Sequence, residues 1–197
     1  MLSTNWSKAE KAFQKQLELN IKELGSVGMP DHWLDVVNAV NLLKPKSFLD
    51  IGCGVGTIYK IIQNISPNIS YKGIDYAPAA IKVARDFWKY EGFDQFDFWD
   101  LSEKDVSDFD LVYAGGFLNV FPNGDEALDF LLSLQIKNLL IGRMDFTEGE
   151  SYYEEYTAYE EIKTCAFHHD VKKAKDTIEN KYGYKSCGME WSLLLTK

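Results

Sequence analysis

Gly52, Gly54 and Gly56 fall within five positions in the stretch SFLDIGCGVGTIYK (47–60). Glycines this dense cost chain entropy, and they let a ligand approach backbone amides with no side chain in between. The apolar residues Phe48, Leu49 and Ile51 before them read as a short buried strand. VGTIYKIIQNI after them reads as a helix with Ile58, Ile61, Ile62 and Ile65 inward. A glycine-rich strand-to-helix turn is a binding loop for a ligand lying over the carboxyl ends of a parallel sheet. Two acids extend the pattern. Asp75 ends the next apolar stretch about 20 residues further on, where a carboxylate accepts two hydrogen bonds from a ribose diol and repels a 2′-phosphate. Asp100 ends the stretch after that and is followed by Leu101. There a carboxylate accepts from the exocyclic amine of adenine while a backbone amide donates to the ring. For either acid alone, a simple strand-end cap is the competing reading. A dinucleotide loop of the G-x-G-x-x-G form would place its third glycine at position 57, which is Thr57.

The elements that position these residues follow from periodicity. Ser7-Lys8-Ala9-Glu10 has the form of a capping box, and Ala9, Phe13, Leu17, Ile21 and Leu24 then repeat on one helix face that Gly25 and Gly28 end. Asp31 is placed to cap a second helix with Trp33, Val37, Val40 and Leu43 inward, and Lys44-Pro45-Lys46 is a turn. From Ser47 the chain alternates. The expected strands are SFLDI, YKGID (71–75), FDFW (96–99), FDLVYAGG (109–116) and NLLIGRM (138–144), with helices between them, one starting at Pro78 and one reading GDEALDFLLSL. Such alternation builds a parallel sheet covered by helices on both faces. DVKKAKDTIENKYG is a last helix, capped by Asp170 and stopped by Gly183. YKSCGMEWSLLLTK reads as an antiparallel hairpin at the sheet edge.

The bulk composition narrows the function. The chain has 197 residues, 46% of them apolar, and a net charge of -9. That length suits a single domain. It divides into an N-terminal helical cap (1–45), a ligand-binding core (46–145), a variable segment (146–169) and a last helix with its hairpin (170–197). The polar start MLSTNWSKAEKAFQ lacks the apolar region of a secretion signal, and no apolar run approaches the ~20 residues of a membrane span. Cys53, Cys165 and Cys187 show neither CxxC pairing nor zinc spacing. The expectation is a cytoplasmic protein with reduced thiols and no membrane partner. The acidic balance disfavours a nucleic-acid partner, because phosphate binding wants a basic face.

Taken together, LDIGCGVGT (49–57), GIDYAP (73–78), FWDL (98–101) and FDLVYAGGFLNVF (109–121) resemble the class I S-adenosylmethionine-dependent methyltransferases. The resemblance covers residues 45–145, and the terminal EWSLLLTK fits the family's antiparallel seventh strand. It implies a doubly wound α/β fold: a mostly parallel seven-stranded sheet with an antiparallel C-terminal hairpin strand, helices on both faces and two extra N-terminal helices. It also implies S-adenosylmethionine as cofactor and S-adenosylhomocysteine as product. Gly52, Cys53 and Gly54, with Thr57 behind them, would face the methionyl part. Asp75 would hold the ribose, Tyr76 would pack beside the adenine, and Asp100 with Leu101 would read its edge. Asp50 and Gly116 would lie near the methionyl amino and carboxylate groups. An NAD-linked oxidoreductase is disfavoured by Thr57 and Asp100.

A cofactor fold leaves the acceptor open. The loop Ala114-Gly115-Gly116-Phe117-Leu118-Asn119 lacks the Asn/Asp-Pro-Pro-aromatic form common where amide or base amines are methylated. No cysteine follows a proline, as cytosine C5 chemistry resembles. A small-molecule acceptor methylated at O or N is therefore expected; a protein or peptide methyltransferase and a non-catalytic cofactor-binding module are the alternatives. Phe117, Asn119 and Tyr152 are the candidate acceptor-binding residues. Trp6, Trp33 and the Glu/Tyr-rich segment 146–161 are the natural pocket walls. An alcohol acceptor needs its proton removed, and the chain has three histidines, His32, His168 and His169. FHHD immediately precedes the last helix at the cofactor edge, so His168 and His169 are the candidate bases, with a mere lead-in to the Asp170 cap as the competing reading. His32 reads as a surface or capping residue. His168, His169 and Asp170 are poorly spaced for a metal, since adjacent residues point apart.

Overall fold

A computed structural model of the chain describes residues 6, 7, 9–26, 28–159, 162–189 and 191–197. Two helices, α1 (Glu10–Leu24) and α2 (Asp31–Leu43), lead into β1 (Ser47–Ile51). The alternation continues with α3 (Thr57–Ile65), β2 (Ser70–Asp75), α4 (Pro78–Trp88), β3 (Phe93–Gln95), α5 (Glu103–Val106), β4 (Leu111–Gly115), α6 (Gly124–Ser133) and β5 (Asn138–Gly142). Three further strands, β6 (Asp145–Thr147), β7 (Tyr152–Ala158) and β8 (Ile162–Asp170), precede α7 (Val171–Asp176) and the final hairpin β9 (Lys185–Gly188) and β10 (Ser192–Thr196). Among the described residues, seven strands form one sheet in the order β3-β2-β1-β4-β5-β10-β9. The first five are parallel, and β10 runs antiparallel to β5 and β9.

The residue pattern explains the layering. In β1, β4 and β5 successive side chains alternate between two cores, as the period of two requires. Phe48, Leu111, Tyr113 and Leu140 join Trp33, Val36 and Val40 of α2, Ile58, Ile61 and Ile62 of α3, and Ile81 of α4. Leu49, Ile51, Val112, Ala114, Leu139 and Ile141 join Leu128, Leu131 and Leu132 of α6 and Ile178 beyond α7. A strand buried on both faces is a central parallel strand. β1 pairs with β2 on one side and β4 on the other, so the winding reverses there and the carboxyl ends of β1 and β4 diverge into a crevice. Phe13 and Leu17 of α1 pack with Val55, Ala77, Ala80 and Val83, which lays α1 over that crevice.

Several local expectations are corrected. The helix α1 begins at Glu10 with Ala9 as its N-cap and no side-chain cap, because a turn in which the Ala9 amide donates to the Trp6 carbonyl precedes it; Lys8 of the expected capping box lies outside the described residues. Pro30, not Asp31, is the N-cap of α2, and Asp31 is its first helical residue, where it acts on the helix dipole. The buried face of α2 is Trp33, Val36, Ala39 and Val40, with Val37 and Leu43 only partly covered. The third strand is Phe93–Gln95, and Phe98–Asp100 is a 3-10 turn capped by Asp97, which accepts from the Trp99 amide at 3.1 Å. The variable segment, for which no strands were expected, is mostly strand: β7 pairs antiparallel with β8 in a second sheet of order β6-β8-β7. Glu160 and Glu161 of that segment and Glu190 of the hairpin lie outside the described residues. Among the described residues no helix is long and apolar enough to cross a membrane.

Candidate functional site

The turn from β1 to α3 has Gly52, Gly54 and Gly56 at φ of 72°, 51° and 75°, the left-handed region where a side chain is strained. A Cβ on Gly52 would sit 2.5 Å from Cδ2 of Phe117, so the ring of the loop after β4 lies directly on this backbone. The Gly52 and Cys53 amides donate to the Ile74 carbonyl at 2.8 and 3.0 Å, tying the turn to the end of β2. Asp75 completes the tie: Oδ2 accepts from the Gly54 amide and Oδ1 from the Ala77 amide, each at 2.9 Å. Burial pushes its carboxyl up to about 6, and the two backbone bonds hold it from rising further. Asp50, 2% exposed, accepts from the Tyr71 hydroxyl at 2.6 Å. Burial raises it to about 7, the Tyr71 bond opposes this, and the neighbouring Asp75 charge adds to it.

Two cavities meet at the turn. The first is an apolar slot of about 160 Å³ roofed by Trp6, Phe13 and Gln16, with Ile74, Asp75, Tyr76, Asp97, Phe98 and Trp99 on one side and Gly116, Phe117 and Phe121 on the other. The second, of about 640 Å³, is a more polar cleft between α1, α2 and the carboxyl ends of β1, β4 and β5. Asn20, His32, Trp33, Asp50, Cys53, Thr57, Tyr113, Arg143, Tyr159 and Trp191 face it. Gln16, Gly52 and Gly54 border both cavities. Thr57 is anchored by the Asn20 side chain, which donates to its Oγ1 at 2.7 Å. The left-handed residue Arg143 (φ 57°) donates its amide to the Trp191 carbonyl at 2.9 Å, which turns the chain leaving β5 into the cleft.

Residues 49–138 match the family model of a methyltransferase domain. That match spans somewhat under half of the chain and marks a likeness to methyltransferase domains over the glycine turn and the strands that follow it. Malonyl-[acyl-carrier protein] O-methyltransferase of Acetivibrio thermocellus is 31% identical over 121 residues, which are 58% of this chain and 42% of that protein. The chain spans less than half the length of the curated relatives it matches. Human N-acetylserotonin methyltransferase, solved in complex with SAM, superposes with a TM-score of 0.69 at 18% identity over 100% of this chain and 59% of that one. DesVI of Streptomyces venezuelae superposes with a TM-score of 0.63 at 11% identity over 91% and 96% of the two chains. At these identities the superpositions speak for the fold.

The glycine turn gathers Asp50, Gly52, Cys53, Gly54, Thr57, Asp75, Tyr76, Gly116 and Phe117 around the two cavities. Cys53 is buried there, and burial pushes its thiol well above its ordinary value, as suits a small packing residue. Six other expected residues lie elsewhere. Asp100 is exposed in the 3-10 turn and Leu101 is packed in the core; because β3 ends at Gln95, Asp97 and Phe98 reach the slot in their stead. Asn119 donates to Asp145 Oδ2 at 3.3 Å, away from both cavities. Tyr152 stacks on His168 with ring centroids 4.6 Å apart on the second sheet. His169 is fully buried, its Nδ1 3.0 Å from Asp125 Oδ1, and burial lowers its proton affinity. Neither His168 nor His169 borders either cavity, because β8 carries them onto the second sheet and not to the mouth of the crevice. His32 faces the cleft from the first turn of α2. Among the described residues no group of three His, Cys, Asp or Glu side chains could hold a metal ion.

Some missed residues carried a usable signal. Asp94, Asp97 and Asp100 repeat every third residue behind Phe93 and Phe96, so the stretch had several possible phases. Gly92 and the fully buried Phe93 mark the true one. Arg143 follows the apolar end of β5 as the only charge in NLLIGRM. Gln16 and Asn20 lie one helical turn apart on α1, polar positions beside the apolar Phe13 and Leu17.

Proposed function

We propose that the chain transfers a methyl group from S-adenosylmethionine to an oxygen or nitrogen of a small-molecule acceptor. The observation that carries this is the meeting of an apolar slot and a polar cleft at one glycine turn, with Asp75 at the junction. The residues fit an adenosyl group. The slot offers Ile74, Tyr76, Phe98 and Phe121 to a planar base, Asp97 to its amine and Asp75 to a ribose diol. Gly52 and Gly54 expose backbone where the slot opens into the cleft, and buried Asp50 faces the cleft beside them, where an acid suits the amino end of an amino-acid group. When bound, the cofactor supplies an electrophilic methyl on a sulfonium.

The chain's own contribution is positional. Asp75 holds Gly54 and Ala77 in one geometry, and α1 closes the slot from above. The cleft, walled by Trp33, Tyr113 and Tyr159, orients the acceptor and sheds water around it. Such orientation is worth much of the barrier in a two-substrate displacement. The activities named for the relatives, malonyl-[acyl-carrier protein] O-methylation and N-acetylserotonin methylation, support an acceptor delivered to a cleft of this kind. Incubating the protein with S-adenosylmethionine and pools of hydroxylated or amino small molecules should release S-adenosylhomocysteine with at least one pool. Release with peptides alone would favour a peptide methyltransferase.

A further inference from the structure

The cleft holds a combination of groups that the slot lacks. Its walls carry the rings of Trp33, Tyr113, Tyr159 and Trp191, the imidazole of His32 and the guanidinium of Arg143. Among the described residues, His32 is the only histidine on either cavity. Its ring packs on Trp33 with centroids 5.2 Å apart, and no described residue hydrogen-bonds its ring nitrogens. No carboxylate among the described residues forms an ion pair with Arg143. The charge on Arg143 favours the phenolate form of each tyrosine it reaches, Tyr113, Tyr156 and Tyr159, although burial outweighs it at all three.

We propose that this cleft seats an acceptor with a phenolic hydroxyl, that His32 takes the phenol's proton, and that Arg143 stabilises the phenolate. The assignment rests on the methyl-transfer reading above and names its acceptor class and base. The step balances. The phenol O–H bond breaks and its proton passes to a His32 ring nitrogen. The oxygen lone pair forms the new O–CH3 bond. The C–S bond breaks with its electron pair returning to sulfur, so the sulfonium becomes neutral S-adenosylhomocysteine and His32 becomes imidazolium, which discharges to water. A phenol, with a pKa of about 10, is within reach of a neutral imidazole, whereas an aliphatic alcohol is far above it. The aromatic walls suit the ring that carries such a hydroxyl.

His32 is in the state this role needs. Burial, and after it the charge of Arg143, lowers its proton affinity; Asp31 and Asp35 of its own helix oppose them. Glu23 on α1 and Asp50 below the turn also face the cleft. The sum leaves the imidazole neutral near pH 7, with a free lone pair. Activity governed by it rises with pH through a value below the ordinary histidine pKa and then levels.

The test uses 4-nitrophenol, whose phenolate absorbs where the phenol does not, added to the S-adenosylhomocysteine-loaded protein at a pH where the free probe is mostly protonated. The wild type should bind the probe as phenolate. His32→Gln should abolish the phenolate band and Arg143→Gln should weaken it, with S-adenosylhomocysteine affinity unchanged in His32→Gln as evidence of folding. Turnover with a panel of simple phenols should fall about 100-fold or more in His32→Gln, the scale of a general base. A wild type that leaves the probe's ionisation unchanged, or a His32→Gln protein with the same band and the same turnover, overturns the proposal while leaving methyl transfer standing. Failure of the wild type to bind S-adenosylhomocysteine removes the functional reading itself and this proposal with it.

Discussion

Asp75, proposed above as a ribose acceptor, has a structural duty that the sequence does not reveal. The spacing from Gly54 pointed to a ribose acceptor, and the structure adds two backbone bonds that clamp the glycine turn to the start of α4. Asp75→Ala therefore removes a charged acceptor and also frees the Gly54 and Ala77 amides. S-adenosylhomocysteine binding should weaken by about 1–3 kcal/mol, measured by calorimetry on a protein whose circular dichroism is unchanged. Equal affinity in the folded variant would make Asp75 a structural clamp only. Asp50 yields a pH prediction. Its carboxyl stands at about 7 in the fold, above the ordinary 3.8. The native state therefore holds a proton that the unfolded chain has lost, and this contribution to stability is present at low pH and disappears as pH rises toward 7. Asp50→Asn cannot titrate but still accepts from Tyr71. Its melting temperature should gain on the wild type's between about pH 4 and about pH 7 and level above that. A constant difference across that range would contradict the buried, proton-holding carboxyl.

The elements differ in how legible they were. β1, β4 and β5 are apolar on both faces, so their runs stood out; α3, α4 and α6 followed from helical spacing and from Pro78 and the acids of GDEALDF. The hairpin was marked by Gly188. β3 was misplaced because FDQFDFWD alternates in more than one phase, and the shift put Asp100 at the slot where Asp97 stands. β7 went unread because it is exposed along nearly its whole length and its tyrosines and glutamates come in pairs, with no apolar stripe; β8 sets Lys163, Thr164, His168 and His169 among its apolar residues and so lacks a continuous apolar run. That omission put His168 and His169 at the wrong place, and a lone histidine in the first turn of α2 carried no pattern of its own. The turn before α3 makes the element-scale prediction. A Cβ on Gly56 would lie 2.5 Å from Phe93 Cζ and 3.1 Å from Trp88 Cδ1, whose indole donates to the Val55 carbonyl at 2.8 Å. Gly56→Ala should cost about 1–3 kcal/mol in urea unfolding, through overpacking and a left-handed alanine. Gly149→Ala meets nothing within 4 Å and should unfold like the wild type.

At the scale of the molecule, one sheet reversal creates the site. Because β1 is flanked by β2 and β4, the glycine turn, the acid ending β2 and the loop after β4 converge on one crevice, and the N-terminal helices cover it. The central claim is that this crevice takes an adenosyl amino acid and not a dinucleotide. Titration calorimetry with S-adenosylmethionine, S-adenosylhomocysteine and NAD on the wild-type protein tests it most directly. The account predicts binding of both adenosyl ligands in the micromolar range or tighter and no heat from NAD; heat from NAD with none from either adenosyl ligand would contradict it.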